Sequence, residues 1–196
     1  MNGRLSSQLE FIREVDRLKT IFRQTYLMDA SRRENDAEHS WHITLMAWLL
    51  EEHAAQGRVD ILRVMKMLLI HDLVEIDAGD TFAYDIKGQE GKFDREREAA
   101  TRIFGLLPAE QSGELMELWL EFEQGETPEA RYAAAMDRIQ PLLHNYFTQG
   151  KAWRKHGVTL GRVQGRIRFL EADLPEVHSL VTELLEDAVE KGYLLP

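Results

Sequence analysis

The chain has 196 residues, 44% of them hydrophobic and 30% charged, which fits one domain able to bury a sizeable core. A net charge of −10 disfavours loose binding to nucleic acid or anionic lipid, because phosphates would be repelled. There is no cysteine, so disulfides and thiolate metal sites are excluded and any bound ion must be held by His, Asp or Glu. The charged N-terminal stretch has no apolar signal core, and no apolar run approaches the roughly 20 residues that span a bilayer. A soluble, cytoplasmic protein is expected.

Leu9, Ile12, Val15, Leu18, Ile21 and Phe22 recur at three- and four-residue spacing and predict a helix over Leu5–Phe22. Arg23–Glu34 breaks the pattern and reads as a loop. Asn35, with Glu38 three residues on, forms a capping-box variant that opens a second helix. That helix runs to about Gln56, where Gly57 ends it. A third helix is predicted over about Asp60–Ile76, and its middle, Val64–Ile70, is apolar on almost every side, as suits the centre of a bundle. Ala78-Gly79-Asp80 breaks it, and Thr81–Lys92 reads as a polar loop. Later helices are predicted over Phe93–Leu106, Ala109–Glu123, Pro128–Gln149, Leu160–Glu171 and Pro175–Lys191, with Pro108, Pro128 and Pro175 near helix starts. Nothing alternates with period two over a useful length, so no sheet is expected. The expected fold is all-α, a single-domain helical bundle.

Four ionisable residues fall where a helical bundle buries its side chains. His71-Asp72 closes the most apolar helix, where charged groups are costly unless paired or bound to an ion. His39 shares a stripe with Ile43, Met46 and Leu50 and should face inward; His42, three residues on, is its rival as a ligand. Asp137 sits in an apolar stretch, four residues before Pro141, whose missing N–H should kink the helix there. Two imidazoles and two carboxylates on separate inward positions can form a four-ligand cage, and helix bundles build metal sites in this way. Such a set leaves coordination positions open for water and a phosphate oxygen.

The order His39, then His71-Asp72, then Asp137 resembles the H…HD…D signature of the HD-domain superfamily of metal-dependent phosphohydrolases. Glu38-His39-Ser40 and the run His71 to Asp80 are similar to the bacterial 5′-deoxynucleotidases and related small HD-domain proteins, over roughly Phe11–Phe147. The resemblance implies one HD-type helical domain over 1–196, with a metal-site core at about 11–147 and C-terminal helices at about 159–191. It implies hydrolysis of nucleoside 5′-monophosphates with one divalent ion (Mn, Co, Mg, Zn, Ni or Fe) on His39, His71, Asp72 and Asp137. Glu75 would position or deprotonate the attacking water, and Asp80 would lie near the sugar and the leaving oxygen. One departure stands out: the deoxynucleotidases carry an Arg-Trp pair where this chain has Gln24 and Thr25. Adjacent Arg23 is the candidate replacement for the phosphate contact, with Arg33 as a second substrate-binding candidate and Arg32, Lys87 and Lys92 nearby in the polar loops.

Three other readings remain open: an HD hydrolase acting on another phosphate ester or diester, a di-iron HD oxygenase drawing on His42 and His53, and a structural metal-binding module. A homodimer is expected from the resemblance. Trp119, Phe122, Trp153 and Tyr193 add to that expectation, as more aromatics than the core needs. No nucleic-acid or membrane partner is expected.

Overall fold

The computed structural model describes residues 3–55, 57 and 59–196. Among these residues the chain is helical throughout, apart from one small sheet. Helix α1 covers Gly3–Val15 and passes through a 3-10 turn, Asp16–Thr20, into strand β1, Phe22–Tyr26. Strand β2, Arg33–Asn35, returns beside it and leads into α2, Asp36–Leu49. Then come a 3-10 turn at Glu51–His53, α3 at Ile61–Ile70, a 3-10 turn at His71–Val74 and α4 at Glu75–Ala78. The remaining helices are α5 (Ile86–Gln89), α6 (Lys92–Phe104), α7 (Ala109–Gln124), α8 (Pro128–Phe147), α9 (Lys151–His156), α10 (Leu160–Ile167), α11 (Leu170–Asp173) and α12 (Pro175–Glu190). No helix among the described residues is long and apolar enough to cross a membrane.

The all-helical expectation holds, with corrections. The segment read as a loop after Phe22 is an antiparallel hairpin, pairing Phe22 with Asn35 and Tyr26 with Arg33 across an irregularity. Its inward residues, Arg23, Thr25 and Glu34, are polar, so the pairing leaves no hydrophobic alternation to read. Helix α2 stops at Leu49, short of the expected end; Gln56 lies outside the described residues. The predicted capping box is present: the Asn35 side chain accepts from the Glu38 amide at 3.0 Å, and Glu38 Oε2 accepts from the Asn35 amide at 3.2 Å. A short helix, α5, interrupts the stretch read as a polar loop, and α9 follows α8 where none was expected. Pro141 lies inside α8, which continues past it to Phe147.

The most consequential departure lies between Ile70 and Glu75. One helix was expected to run through it, but the chain tightens into a 3-10 turn in which His71, Asp72, Leu73 and Val74 are all buried. Four consecutive buried residues cannot share one α-helical face. A 3-10 turn spreads them over three edges and eclipses residues three apart, which stacks Asp72 over Glu75. Leu73 and Val74 enter one apolar cluster with Ile103, Phe104 and Trp119. A larger cluster, built on Ile43, Met67, Leu68, Met136 and Leu185, lies on the other side, and Ile70 packs against both. The His71–Val74 turn is therefore pinned between two cores. Gly79, at φ +76°, ends α4 in a backbone conformation that L side chains rarely adopt, and turns the chain toward Asp80.

Candidate metal centre

His39 comes from the first turn of α2, His71 and Asp72 from the pinned turn, and Asp137 from the middle of α8. The structure brings all four together. His39 Nε2 lies 3.0 Å from Asp137 Oδ1 and 3.9 Å from Asp72 Oδ2, while His71 Nε2 lies 3.1 Å from Asp72 Oδ1 and 3.8 Å from Asp137 Oδ1. The two imidazole rings are 5.8 Å apart between centroids. Both rings are buried, and each has its Nδ1 engaged elsewhere: His71 Nδ1 is 2.9 Å from the Leu68 carbonyl and His39 Nδ1 is 3.1 Å from Gln140 Oε1. With Nδ1–H donated, each ring in its neutral form presents an Nε2 lone pair to the same small volume. His71 Nε2 is buried without a hydrogen-bond partner, an orphan that a cation would satisfy. One nitrogen each from His39 and His71 and one oxygen from Asp137 lie close enough together to hold an ion, and the donor set fits a borderline divalent cation.

Charge and burial pull against each other here. Burial opposes charging His71, but Asp72 and Asp137 outweigh it and lift the ring to about 9. Burial also resists ionisation of Asp137 and Asp72; the neighbouring His39 and His71 rings hold Asp137 well below the usual range, and the charges of His71 and Arg23 lower Asp72. Glu75 goes the other way, pushed well up by burial and by the charges of Asp72 and Asp36. Its Oε2 is buried and unpartnered. Asp80 is raised by burial too, and lines the same cavity.

Arg23, on β1, reaches the centre itself, donating to Asp72 Oδ2 at 2.7 Å and Asp36 Oδ1 at 3.3 Å, with Asp137 Oδ1 at 3.8 Å. Arg33 does not line the cavity; it sits on β2 near His156. Arg32 forks onto Glu38 at 2.6 and 2.8 Å on the surface, and Lys92 pairs with Glu96 at 2.6 Å in the cavity wall. His42 is turned away from the centre toward Gln140 and His144, and His53 pairs with Glu176 at 2.7 Å. Among the described residues neither offers a second ion to the His39–His71 pair.

Sequence reasoning passed over Asp36, Glu34 and Gln140. Asp36 is fully buried beside Asp72 and Glu75, is pushed to about 7 by burial and by Asp72, and leaves Oδ2 unpartnered. It precedes His39 by three residues, and Gln140 follows Asp137 by three, so each shares a helix face with a proposed ligand. That i,i+3 spacing was the available signal.

Further lining comes from Phe82 and Tyr84, from Arg138 on α8 and from Arg166 on α10, among others. The cavity encloses about 260 Å³. The Tyr84 ring lies 5.4 Å from Phe82 and 5.8 Å from the Arg166 guanidinium, and Arg138 donates to the Arg166 carbonyl at 2.8 Å.

Comparison with known proteins agrees with this picture. The profile described as "HD domain" matches residues 15–178. The human protein named 5′-deoxynucleotidase HDDC2 is 31% identical over 138 residues, 70% of this chain and 66% of its own length, just under two thirds. A Dictyostelium discoideum protein of the same name is 29% identical over 72% of this chain and 77% of its own. A crystal structure from Magnetospirillum magnetotacticum, of a protein described as a predicted metal-dependent phosphohydrolase, is 53% identical, with a TM-score of 0.93 over 99% of this chain and 97% of that one.

Proposed function

The chain belongs to the HD-domain family, and from that footing we propose that it is a metal-dependent phosphomonoesterase that releases phosphate from (deoxy)nucleoside 5′-monophosphates. The observation that carries the reading is the convergence of His39, His71, Asp72 and Asp137, with both Nε2 lone pairs turned inward, in a cavity that also holds Arg23 and Glu75. The names of the human and Dictyostelium relatives support the nucleotide substrate.

On this reading His39, His71, Asp72 and Asp137 would hold one divalent ion, which would supply Lewis acidity and a more acidic water. The identity of the ion belongs to the experiment below. Arg23 directs its guanidinium toward the same volume and neutralises charge on the equatorial oxygens. Glu75 Oε2 is the proton acceptor for the attacking water; burial and the charges of Asp72 and Asp36 raise its carboxyl, which favours holding a proton there. Asp80, past the Gly79 turn, stands toward the leaving oxygen. A homodimer in the cytoplasm goes with this proposal. Trp119 and Trp153 are buried, so the aromatic surface for such a contact is instead Trp41 and Trp48 on α2.

The test is phosphate release from deoxy- and ribonucleoside 5′-monophosphates, 3′-monophosphates, triphosphates and diesters, each with Mn²⁺, Co²⁺, Mg²⁺ and Zn²⁺. Preferential release from 5′-monophosphates, lost with chelator, is the expected result. Preferential cleavage of a diester or triphosphate would replace the substrate class and leave the ion. That second reading draws on Gln24 and Thr25, which line the cavity where the deoxynucleotidases carry an Arg-Trp pair.

A further inference from the structure

Behind His39 lies a buried polar group that the reaction does not use. Gln140, on the face of α8 that also carries Asp137, is fully buried. Its Oε1 is 3.1 Å from His39 Nδ1. Its Nε2 donates to Glu34 Oε1 at 2.6 Å and lies 3.1 Å from His144 Nε2 and 3.3 Å from His42 Nδ1. Glu34, His42 and His144 lie close enough together to hold an ion, but the amide nitrogen is in contact with all three. The group is therefore a socket filled by Gln140.

We propose that Gln140 is a positioning residue for the metal centre: anchored by Glu34, it fixes His39 as the Nδ1–H tautomer and so presents the Nε2 lone pair to the ion. The logic is one of donors and acceptors. Glu34, ionised or protonated, offers the amide an accepting oxygen, so it draws the nitrogen end and leaves Oε1 facing His39. An oxygen facing Nδ1 is satisfied only by a ring that carries its proton there. Reversing the amide would set its oxygen against the Glu34 carboxylate and its nitrogen against Nδ1–H, leaving buried groups unpaired on both sides. His71 needs no such device, because a backbone carbonyl, Leu68 O, already takes its Nδ1–H. His39 depends on a side chain from another helix, which in turn depends on the hairpin that carries Glu34.

The inference rests on the proposed metal site, and the test separates the two. Mn²⁺ affinity is measured by calorimetry for wild type, Gln140→Leu and the charge-conserving exchange Glu34→Gln/Gln140→Glu. Gln140→Leu should weaken Mn²⁺ binding by about 10–100-fold, the usual cost of losing the partner of a ligating histidine. The exchange restores an acceptor for His39 and a donor behind it, and should recover most of that loss. Ring ¹⁵N shifts of ion-free protein should show His39 protonated at Nδ1 in wild type and mixed in Gln140→Leu. Equal Mn²⁺ affinity in wild type and Gln140→Leu would overturn the inference, as would a wild-type His39 protonated only at Nε2. Absence of Mn²⁺ binding by wild type itself would instead overturn the metal reading, and the ¹⁵N measurement would still decide the tautomer.

Discussion

The cavity has two kinds of wall. Where α2, the His71–Val74 turn and α8 meet, ionisable groups are buried against one another: His71 is lifted to about 9, Asp36 to about 7, and Asp137 is driven down. Across from the loop that carries Phe82 and Tyr84, Arg138 and Arg166 hydrogen-bond to backbone carbonyls and lean on aromatic rings instead of acids. One wall concentrates opposing charges that a cation would resolve; the other sets two guanidinium groups against backbone carbonyls and rings in a protein whose net charge is −10. On the proposed reading the first wall does the chemistry and the second grips the rest of the substrate, so damage to each should look different.

The largest effect is expected from Asp72→Ala. It removes a ligand and the acid that Arg23 pairs with, and both bound metal and phosphate release should fall, turnover by about 10³-fold or more. Metal content by elemental analysis, alongside the phosphate assay, checks it; retained turnover in metal-free Asp72→Ala would break the scheme. Glu75→Gln separates the two losses. Metal content should stay near wild type while kcat drops by about 10²–10⁴-fold, the range for a general base. A Glu75→Gln protein with wild-type kcat would move the proton acceptor elsewhere, with Asp36, whose Oδ2 is unpartnered beside Glu75, the next candidate.

The raised His71 sets a pH dependence. Below about 9 its ring holds a proton that an ion at Nε2 must displace. Apparent Mn²⁺ affinity should therefore climb with pH, about tenfold per unit through this one group, and level off near 9. A flat titration between pH 6 and 8 would mean that the proton and the ion do not compete for that nitrogen. On the other wall, Arg166→Ala should spare metal content and raise KM by roughly tenfold, as the loss of one part-buried charged contact does. A fall in metal content in that variant would erase the distinction between the walls.

How much of this was legible in the sequence follows the same division. His39, His71, Asp72 and Asp137 are ionisable residues at inward helical positions, where burial without a partner is costly, but only their combination and the H…HD…D resemblance singled them out as a set. Arg23 was visible only as a charge beside a departure from the family pattern, not as the partner of Asp72 and Asp36. Glu34 and Gln140 were not visible. Polar residues add nothing to a hydrophobic period, and these two are buried only because each finds the other 106 residues away. The hairpin was hidden for the same reason. The 3-10 turn at His71 was hidden because the apolar run continues through it; what breaks the α-helix is competition between two cores for consecutive side chains.

The smallest expected effect is on stability, and it tests the socket behind His39 apart from catalysis. Burial pushes Glu34 up to about 7 from an ordinary value of 4.5. Below pH 4.5 the group is protonated in both folded and unfolded chains and makes no difference. Between 4.5 and 7 the unfolded chain releases the proton while the folded one keeps it, so stability falls as pH rises; above 7 the loss is complete. For this shift the loss is on the order of 3 kcal/mol. Glu34→Gln cannot titrate, so urea unfolding of ion-free protein at pH 5 and pH 7.5 should show the variant gaining on wild type by about that amount. Its Mn²⁺ affinity should change only a few-fold, because the new amide oxygen still accepts from Gln140 and the His39 tautomer is kept. The same pH slope in both proteins would mean that Glu34 already ionises freely in the fold. The buried carboxylate would then be held ionised by its contacts, and the Gln140 nitrogen that donates to it at 2.6 Å would be one of them.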